Sequence, residues 1–423
     1  MDNKTEGIGY DPEKYPKVEN LMYRVNMESL KAVYNRQQTG KATGVDRVTK
    51  EMYGKELEEN LRDLIERMKK FSYKPLPVRR TYIPKANGKL RPLGIPAFED
   101  RLVQGAMADL MNLVYEPRFL DCSYGFRPGR SCHDVVRYMD EKIMRHPINY
   151  VLEADIKGFF DNVDHEWLMK FLEHDIKDKN FLRYVKRFLI GGVMEGTKLM
   201  DSDKGTPQGG LISPILANVY LHYVLDLWFE KAIKPRIKGE AYYVRYADDF
   251  LIMFQYREEA EKVLAVLGKR MGKFALELAE DKTRIVPVGR NSKKEDRFEF
   301  LGFEFYNTKT RVGTWKLGIR TSPKKLKLKK IALRQWIREQ LAMPLEKTMT
   351  TLNKKLQGHA NYYGINGNYK SLNKFWKYAE QAVHWMICRR SQKARMTWAK
   401  FRRIWDFFIR PPKIKVQIWK LNC

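Results

Sequence analysis

Three aspartates stand where carboxylates could converge on a metal ion. Asp155 ends an apolar run typical of a buried strand, VLEADI, and Asp248 and Asp249 lie between two β-rich runs in YYVRYADDFLIMF. Joining a nucleotide to a 3′-hydroxyl requires in-line attack on phosphorus, and two divalent ions about 3.5–4 Å apart can stabilise the attacking and leaving oxygens. Since Mg²⁺ prefers oxygen ligands and keeps several waters, two or three carboxylates suffice. The pattern permits metal-assisted phosphoryl transfer.

The adjacent pair Asp248 and Asp249 must lie in a turn if both carboxylates serve one site. Neighbouring side chains of a strand point to opposite faces, whereas a turn lets both approach one point. Asp-Asp between two strands is also ordinary turn chemistry, because aspartate favours tight turns. These residues alone leave both interpretations open.

The charge of the chain indicates a polyanionic partner. Its 423 residues include 80 Lys and Arg against 51 Asp and Glu, a net charge of +29. Such a field attracts nucleic acid or an anionic membrane. Because the sequence has no stretch of about 18 apolar residues and its N-terminus lacks the apolar core of a signal peptide, we expect no membrane partner. Nucleic acid is the favoured partner.

The cysteines and histidines form no zinc or disulfide pattern. None of the four cysteines pairs as C-x-x-C, and none of the seven histidines forms an H-x3–5-H pair. We therefore expect neither a structural zinc site nor a disulfide framework. Isolated thiols fit a reducing cytoplasm.

Periodicity and turn residues predict the elements that position the aspartates. Residues 57–70 place apolar side chains on one helical face. Residues 79–96 predict a hairpin around Asn87-Gly88. Ser213 as N-cap, followed by Pro214, predicts a helix to about residue 233. Helices are also predicted within 164–190, 257–273 and 323–390, and strands near 150–156, 284–288, 298–306 and 312–320.

Three segments together resemble the motifs of reverse transcriptases. Residues 246–249, YADD, match the Tyr-x-Asp-Asp motif, and residues 155–161, DIKGFFD, resemble the first catalytic motif. Residues 206–214, TPQGGLISP, resemble the P-Q-G-x-x-x-S-P motif of the template-contacting loop. The order and spacing of the segments also agree. The resemblance implies an α+β, right-hand polymerase, with fingers and palm built from an antiparallel sheet plus helices and followed by an α-helical thumb.

The resemblance also implies a set of metal ligands and a sugar gate. It assigns the binding of two Mg²⁺ ions, with Mn²⁺ as a substitute, to Asp155, Ile156, Asp248 and Asp249. Phe160 would stack under the sugar, where a bulky ring blocks a 2′-hydroxyl and so selects deoxynucleotides. Core packing is the alternative for Phe160 and its neighbour Phe159, and for Phe159 we prefer it.

Basic residues are implied to contact the triphosphate. Lys85 and Arg91 match the family's fingers contacts, and preorganised cations stabilise an anionic triphosphate. The alternative is a solvated basic hairpin. Lys282 resembles the lysine that donates a proton to the leaving pyrophosphate, with a surface lysine as the alternative. In the template loop, Gln208 can hydrogen-bond a base or sugar edge and Gly209 lets the backbone approach a ligand, although a flexible turn would look the same.

Further segments resemble the enzymes that bacterial group II introns encode. They are residues 44–46 (GVD), 124–128 (YGFRP), 300–303 (FLGF, the primer-supporting hairpin) and 358–363 (GHANYY). The last resembles the G-x-x-N-Y-[FY] stretch of the maturase, or thumb, domain, where His359 replaces the usual Trp. Tyr362 and Tyr363 could stack on RNA bases. Since this sequence lacks the residues of a Cys/His-rich nuclease domain, which many relatives carry, we expect a member without the endonuclease.

The predicted organisation has four parts. Residues 1–78 form an N-terminal extension and the start of the fingers, 79–320 the fingers and palm, 321–390 the thumb or maturase domain, and 391–423 a basic aromatic tail. Residues 305–338 contain eleven Lys or Arg and no acid. The tail either binds nucleic acid or packs on the thumb, and the sequence favours neither.

The favoured function is an RNA-directed DNA polymerase that also binds a structured intron RNA. Its expected partners are an RNA template, a DNA or RNA primer, dNTPs and a group II intron RNA. One alternative is a splicing factor with little polymerase activity, which the intact aspartates disfavour. Another is a domesticated enzyme of phage defence or DNA repair without an intron. The oligomeric state is not predicted.

Overall fold

The computed structural model describes residues 17–84, 90–195, 198–200, 205, 209–289, 292–293, 295–310, 312–390 and 396–418. The helices in these ranges are α1 (Met27–Arg36), α2 (Lys50–Tyr53), α3 (Leu57–Lys69), α4 (Phe98–Tyr115), α5 (Cys132–Arg145), α6 (Phe159–Asn162), α7 (His165–Asp175), α8 (Lys179–Ile190), α9 (Ser213–Leu221), α10 (Arg257–Lys273), α11 (Pro323–Glu339), α12 (Leu345–Tyr363), α13 (Tyr369–Cys388) and α14 (Trp398–Phe408). The strands are β1 (Val78–Pro84), β2 (Leu90–Ile95), β3 (Tyr150–Ala154), β4 (Val193–Glu195), β5 (Lys198–Met200), β6 (Ala241–Tyr246), β7 (Asp249–Phe254), β8 (Arg284–Pro287), β9 (Arg297–Phe300), β10 (Phe303–Lys309) and β11 (Trp315–Thr321).

The palm is an antiparallel sheet with strand order β6-β7-β3-β8. Its inner strands, β3 and β7, are mostly apolar because both faces are covered. Phe250, Ile252 and Phe254 of β7 join the core that includes α10, whereas Leu251 and Met253 join the core shared with α5 and the thumb. This alternation follows from the opposite directions of successive side chains in a strand.

The fingers combine a second sheet, of order β2-β1-β4-β5, with the helices that precede the palm. The predicted hairpin of β1 and β2 is confirmed, with Arg79 paired to Ile95 and Pro84 to Leu90. The predicted helix at 57–70 is confirmed as α3, which buries Leu61, Leu64 and Met68. The tip of the hairpin, residues 85–89, lies outside the described residues.

The helix predicted to begin at Ser213 is present, but its cap was predicted wrongly. Ile212 is the N-cap of α9, and Ser213 is the first helical residue, whose backbone N–H donates to the carbonyl of Gly210 at 3.3 Å. Beyond α9 the chain continues through two π-helical stretches, His222–Asp226 and Phe229–Ile233. The helix predicted to about residue 233 is therefore present, but it is interrupted by these two π-helical stretches. Such stretches are rare and frequently accompany functional sites.

The third sheet, of order β11-β10-β9, joins the palm to the thumb. The single strand predicted at 298–306 is instead two strands, because Leu301 and Gly302 both have positive φ and form the hairpin turn between β9 and β10. Helices α11, α12 and α13 follow, as predicted for 323–390, and α14 adds a helix in the tail. In α14, Phe401 and Trp405 are buried in the thumb core, so this part of the tail packs on the thumb. No helix of the described ranges is long and apolar enough to cross a membrane.

Candidate active site

The register of the palm sheet brings the three aspartates to one end. Ala154, the last residue of β3, pairs with Phe250, so Asp155 follows β3 directly beside Asp249, the first residue of β7. The pairing of Tyr246 with Asp249 leaves Ala247 and Asp248 as a two-residue turn. The turn expected from the adjacent aspartates is therefore present, with Asp248 within it and Asp249 at its end.

The charges of Asp248 and Asp155 act on the carboxyl group of Asp249. Asp249 is an exposed residue at the start of β7. Desolvation there, together with the charges of Asp248 and Asp155, raises its pKa to about 7, against the opposing effect of Lys282 and Lys325. A cluster of like charges is the environment that a bound divalent cation would relieve.

The donor set fits Mg²⁺ chemically as a partial ligand shell. Within the described ranges, no three Asp, Glu, His or Cys side chains already stand close enough to share one metal ion. Mg²⁺ is usually held by only one or two carboxylates, with waters and substrate phosphates completing the shell. The side chain of Ile156 is apolar and 3% exposed, so this residue could act as a ligand only through its main-chain carbonyl.

Lys282 lies at the predicted site. Its ammonium donates to the carboxylate of Asp155, and that hydrogen bond raises the pKa of the lysine. The side chain of Lys282 is 61% exposed, so an anionic substrate could reach it. Lys282 thus lies at Asp155 and also at the surface, and its role as proton donor stays a prediction.

The two phenylalanines after Asp155 differ in burial. Phe159 is 2% exposed and packs against Tyr220 in the core, as we expected. Phe160 is half-buried in α6, with its ring edge-on to Phe159 at 5.3 Å between centroids. Gly158, with φ +56°, turns the chain from the end of β3 into α6. Phe160 thus keeps a partly exposed ring, and its role as sugar gate stays a prediction.

The template loop is anchored to the fingers by a residue that sequence reasoning missed. Gly209 has φ +119°, and a Cβ there would lie 2.2 Å from the carbonyl oxygen of Gly94 in β2, so no larger residue fits without a backbone shift. Two residues further along the loop, the backbone N–H of Leu211 donates to Oε1 of Gln104 at 2.9 Å. Gln104 lies on α4 and is 4% exposed. A lone glutamine on an apolar helical face was the available signal.

Three predicted substrate contacts are only partly described. Lys85 and Gln208 lie outside the described residues. Arg91 is in β2 and pairs with Ile83 through the main chain. Their predicted roles stay predictions.

The hairpin of β9 and β10, which resembles a primer support, packs against α12 of the thumb. The hydroxyl of Tyr362 donates to the carbonyl of Leu301 at 2.8 Å, and the ring of Tyr363 lies 5.2 Å from that of Phe303. Tyr363 is only 4% exposed. The prediction that it stacks on RNA bases is therefore wrong for this structure, because the ring is already used in packing.

His359, which departs from the family pattern, fills an aromatic position. Its ring lies 4.3 Å from that of Phe375 and 4.8 Å from that of Tyr363. Burial, with a smaller effect of Lys329, lowers the pKa of His359 to about 3, so the ring is neutral. The neutral imidazole therefore packs among the aromatic rings of the thumb core, at the position where the family pattern has Trp.

A palm sheet with three aspartates at one end, a fingers hairpin and a helical thumb together define a right-hand polymerase. The family described as reverse transcriptase (RNA-dependent DNA polymerase) matches residues 83–305, and the group II intron, maturase-specific domain matches residues 326–405. The first match covers more than half of the chain. The chain belongs to the reverse transcriptase family and carries a group II intron maturase domain.

Two curated relatives agree with this assignment. The group II intron-encoded protein LtrA of Lactococcus lactis subsp. cremoris is 32% identical over 400 residues, which cover 75% of this chain and 65% of LtrA. Protein YkfC of Escherichia coli K12 is 35% identical over 306 residues, 64% of this chain and 77% of YkfC. The match thus spans less than two thirds of the length of LtrA. Telomerase from Candida albicans superposes with a TM-score of 0.45 at 14% identity, covering 85% of this chain and 69% of that chain.

Proposed function

We propose that the chain is an RNA-directed DNA polymerase that extends a DNA or RNA primer with dNTPs on an RNA template. We propose further that it binds a group II intron RNA and assists its splicing and mobility. Membership in the reverse transcriptase family supports nucleic-acid substrates and a divalent-metal dependence in general. The particular substrates, the two Mg²⁺ ions and the intron are our proposal.

The observation that carries the polymerase proposal is the pairing of β3 with β7. This pairing sets Asp155 beside Asp249, and the turn adds Asp248. Bound by these carboxylates, two Mg²⁺ ions would stabilise the attacking and leaving oxygens of the in-line displacement. The contact of Lys282 with Asp155 supports its role as proton donor. The partly exposed ring of Phe160, five residues after Asp155 in the sequence, supports its role as sugar gate.

The intron proposal rests on the thumb. The maturase-specific domain matches 326–405, and LtrA is described as encoded by a group II intron. Helix α11 exposes Lys324, Lys325 and Lys327. Since a polymerase thumb also grips a duplex by its phosphates, this basic surface supports RNA binding without distinguishing intron from template.

The test of the polymerase proposal is primer extension by the full chain on an RNA template with dNTPs and Mg²⁺. We expect extension by the wild type and only background incorporation by Asp248→Ala. RNA binding by that variant should be retained, because phosphate contacts come from basic residues elsewhere. Asp109→Ala, which removes a carboxylate that pairs with Arg36 on the surface, is the matched control and should extend normally. Extension by Asp248→Ala at the wild-type rate would contradict the assignment.

A further inference from the structure

The turn that presents the catalytic aspartates has a conformation that needs support. Ala247 has φ +57°, in the left-handed region. For a residue with a Cβ that conformation costs roughly 1–2 kcal/mol. Such backbone persists only where the surrounding structure determines it. The question is which groups hold this turn.

Arg245, two residues before Ala247, is the largest fully buried side chain of the described residues, with no exposed surface. An arginine has five N–H donors, and here all five are used. Nη1 donates to the carbonyl of Ala247 at 2.9 Å and to Oδ1 of Asn218 at 2.9 Å. Nη2 donates to Oγ of Ser123 at 2.8 Å and to Oδ2 of Asp226 at 2.6 Å, and Nε donates to Oδ1 of Asp226 at 2.7 Å.

The charged partner of Arg245 is Asp226. Asp226 has no exposed surface and accepts both arms of the guanidinium, a bidentate arrangement that fixes orientation as well as distance. It lies at the end of the first π-helical stretch, His222–Asp226. Burial alone would raise the pKa of Asp226, but the charge and hydrogen bonds of Arg245 lower it to about 2, so the pair stays ionised.

A segment before the palm closes on the other side of the turn. The backbone N–H of Arg245 donates to the carbonyl of Cys122 at 2.8 Å, and that of Tyr124 donates to the carbonyl of Arg245 at 2.9 Å. A Cβ on Gly125 would lie 2.2 Å from the backbone nitrogen of Ala247. Asn218 joins the two sides, because its Nδ2 donates to the carbonyl of Gly125 at 2.8 Å. The YGFRP stretch is thus a backbone support for the catalytic turn.

Stability alone does not account for this buried ion pair. Replacing such a pair by apolar residues of similar volume is often neutral or stabilising, since burying two charges carries a large desolvation penalty. An apolar pair, however, could not bond the carbonyl of Ala247. The feature that only the arginine supplies is orientation of the peptide between Ala247 and Asp248.

We propose that Arg245, oriented by Asp226, is a positioning residue that fixes the Ala247–Asp248 peptide and thereby sets the Asp248 and Asp249 carboxylates for divalent-metal binding. The consequence for catalysis rests on the polymerase function proposed above, but the consequence for metal binding does not. Loss of the arginine should therefore weaken metal binding even in the absence of nucleotide and RNA.

The experiment measures Mn²⁺ binding to the full chain by electron paramagnetic resonance, with Asp248→Ala defining the signal that belongs to this site. We expect Arg245→Lys, which keeps the charge but loses the fork, to weaken Mn²⁺ affinity about tenfold, the lower end for groups that support metal ligands. In primer extension it should raise the Mg²⁺ concentration for half-maximal rate and lower kcat, with the KM for dNTP unchanged.

A matched variant separates positioning from loss of stability. Arg118 pairs with Asp175 at 2.9 Å, and their side chains are 13% and 6% exposed. Arg118→Lys therefore disrupts a comparable buried pair that does not contact the turn. It should lower the melting temperature without changing Mn²⁺ affinity. An unchanged Mn²⁺ affinity in folded Arg245→Lys, or an equal loss in Arg118→Lys, would overturn the proposal.

A milder variant covers the case in which Arg245→Lys does not fold. Asn218→Ser removes one acceptor of Nη1 and the bond to Gly125 while leaving the ion pair intact. It must still weaken Mn²⁺ binding, and wild-type affinity in this variant also overturns the proposal. A wild type that binds Mn²⁺ through Asp248 but fails to extend primers would refute the polymerase function and leave the positioning role to be decided by the Mn²⁺ measurement.

Discussion

The ammonium group of Lys282 contacts the carboxylate of Asp155 from 127 residues further along the chain. A lysine at this place can act as a proton donor or as a fixed charge, and two substitutions distinguish these roles. Lys282→Ala should slow single-turnover dNTP incorporation about 10²-fold, a typical contribution of general acid catalysis. Lys282→Arg keeps the charge but cannot give up a proton in a protein. We expect Lys282→Arg to be as slow as Lys282→Ala. Recovery to the wild-type rate would show that the charge alone is needed.

The half-buried ring of Phe160 predicts selection against ribonucleotides. Phe160→Ala opens space for a 2′-hydroxyl, so the ratio of ribonucleotide to deoxynucleotide incorporation should rise about tenfold or more. Single-turnover rates with both nucleotides give this ratio. Phe160→Tyr keeps the bulk and should keep the wild-type ratio. An unchanged ratio in a folded Phe160→Ala protein would move the gate to another residue.

The exposed lysines of α11 predict a salt-dependent grip on RNA. Changing Lys324, Lys325 and Lys327 together to Gln should flatten the plot of log K against log salt by about 2, since each neutralised phosphate contributes roughly 0.7–0.9 to the slope. Equilibrium binding of a single RNA at several salt concentrations measures this slope.

The control for these lysines removes the same charge from another helix. Lys262, Lys269 and Lys273 are exposed on α10, which packs on the palm sheet. The corresponding triple Gln variant should leave the slope as in the wild type. Equal slopes for the two triple variants would show that the α11 lysines face solvent without contacting RNA.

Local pattern was enough to predict many elements of this fold. The apolar stripe of α3, the hairpin of β1 and β2 and the acidic turn before Asp249 depend on residues close in sequence, whose periodicity and turn chemistry can be read directly. The turn that divides residues 298–306 into two strands was not predicted, because it depends on the backbone conformation of Leu301 and Gly302.

The supporting contacts of the site were beyond sequence reasoning. Gln104 bonds Leu211 across 107 residues, and Arg245 bonds Ser123 across 122. No local pattern identifies such a partner, although a charged residue inside the apolar run YYVRY is a sign that one exists. The packing of Phe401 in the thumb likewise depends on the tertiary contacts of α14.

Asp100 of the fingers predicts a pH dependence of stability away from the active site. It is 2% exposed and accepts hydrogen bonds from the Tyr73 hydroxyl and from the Leu76 backbone at 3.0 Å. Burial raises its pKa to about 7 despite these bonds. The folded protein keeps the Asp100 proton up to about pH 7, whereas the unfolded chain releases it near pH 4. The stability that this proton contributes is therefore present at low pH and is lost as pH rises through 7.

The corresponding substitution is Asp100→Asn, which cannot ionise. Between pH 5 and pH 8 the wild type loses stability as Asp100 ionises, and Asp100→Asn does not. The free energy of unfolding of the variant should therefore rise relative to that of the wild type by on the order of 1–3 kcal/mol. Urea unfolding at both pH values measures the change. Asp63→Asn, at a side chain that is 64% exposed, is the control. If the difference in unfolding free energy between the wild type and Asp100→Asn did not change with pH, the assignment would be contradicted.

The maturase proposal predicts that splicing and polymerisation can be separated within one chain. RNA binding by the thumb does not use the palm carboxylates, so Asp248→Ala should still accelerate splicing of its own intron at low Mg²⁺ while incorporating no dNTP. In moderate salt, where non-specific electrostatic binding weakens, the chain should bind that intron well above an unrelated RNA of equal length. The α11 triple Gln variant should lose part of this splicing activity, and the α10 triple variant should not. Indiscriminate binding together with unaltered splicing would leave a reverse transcriptase with no intron role.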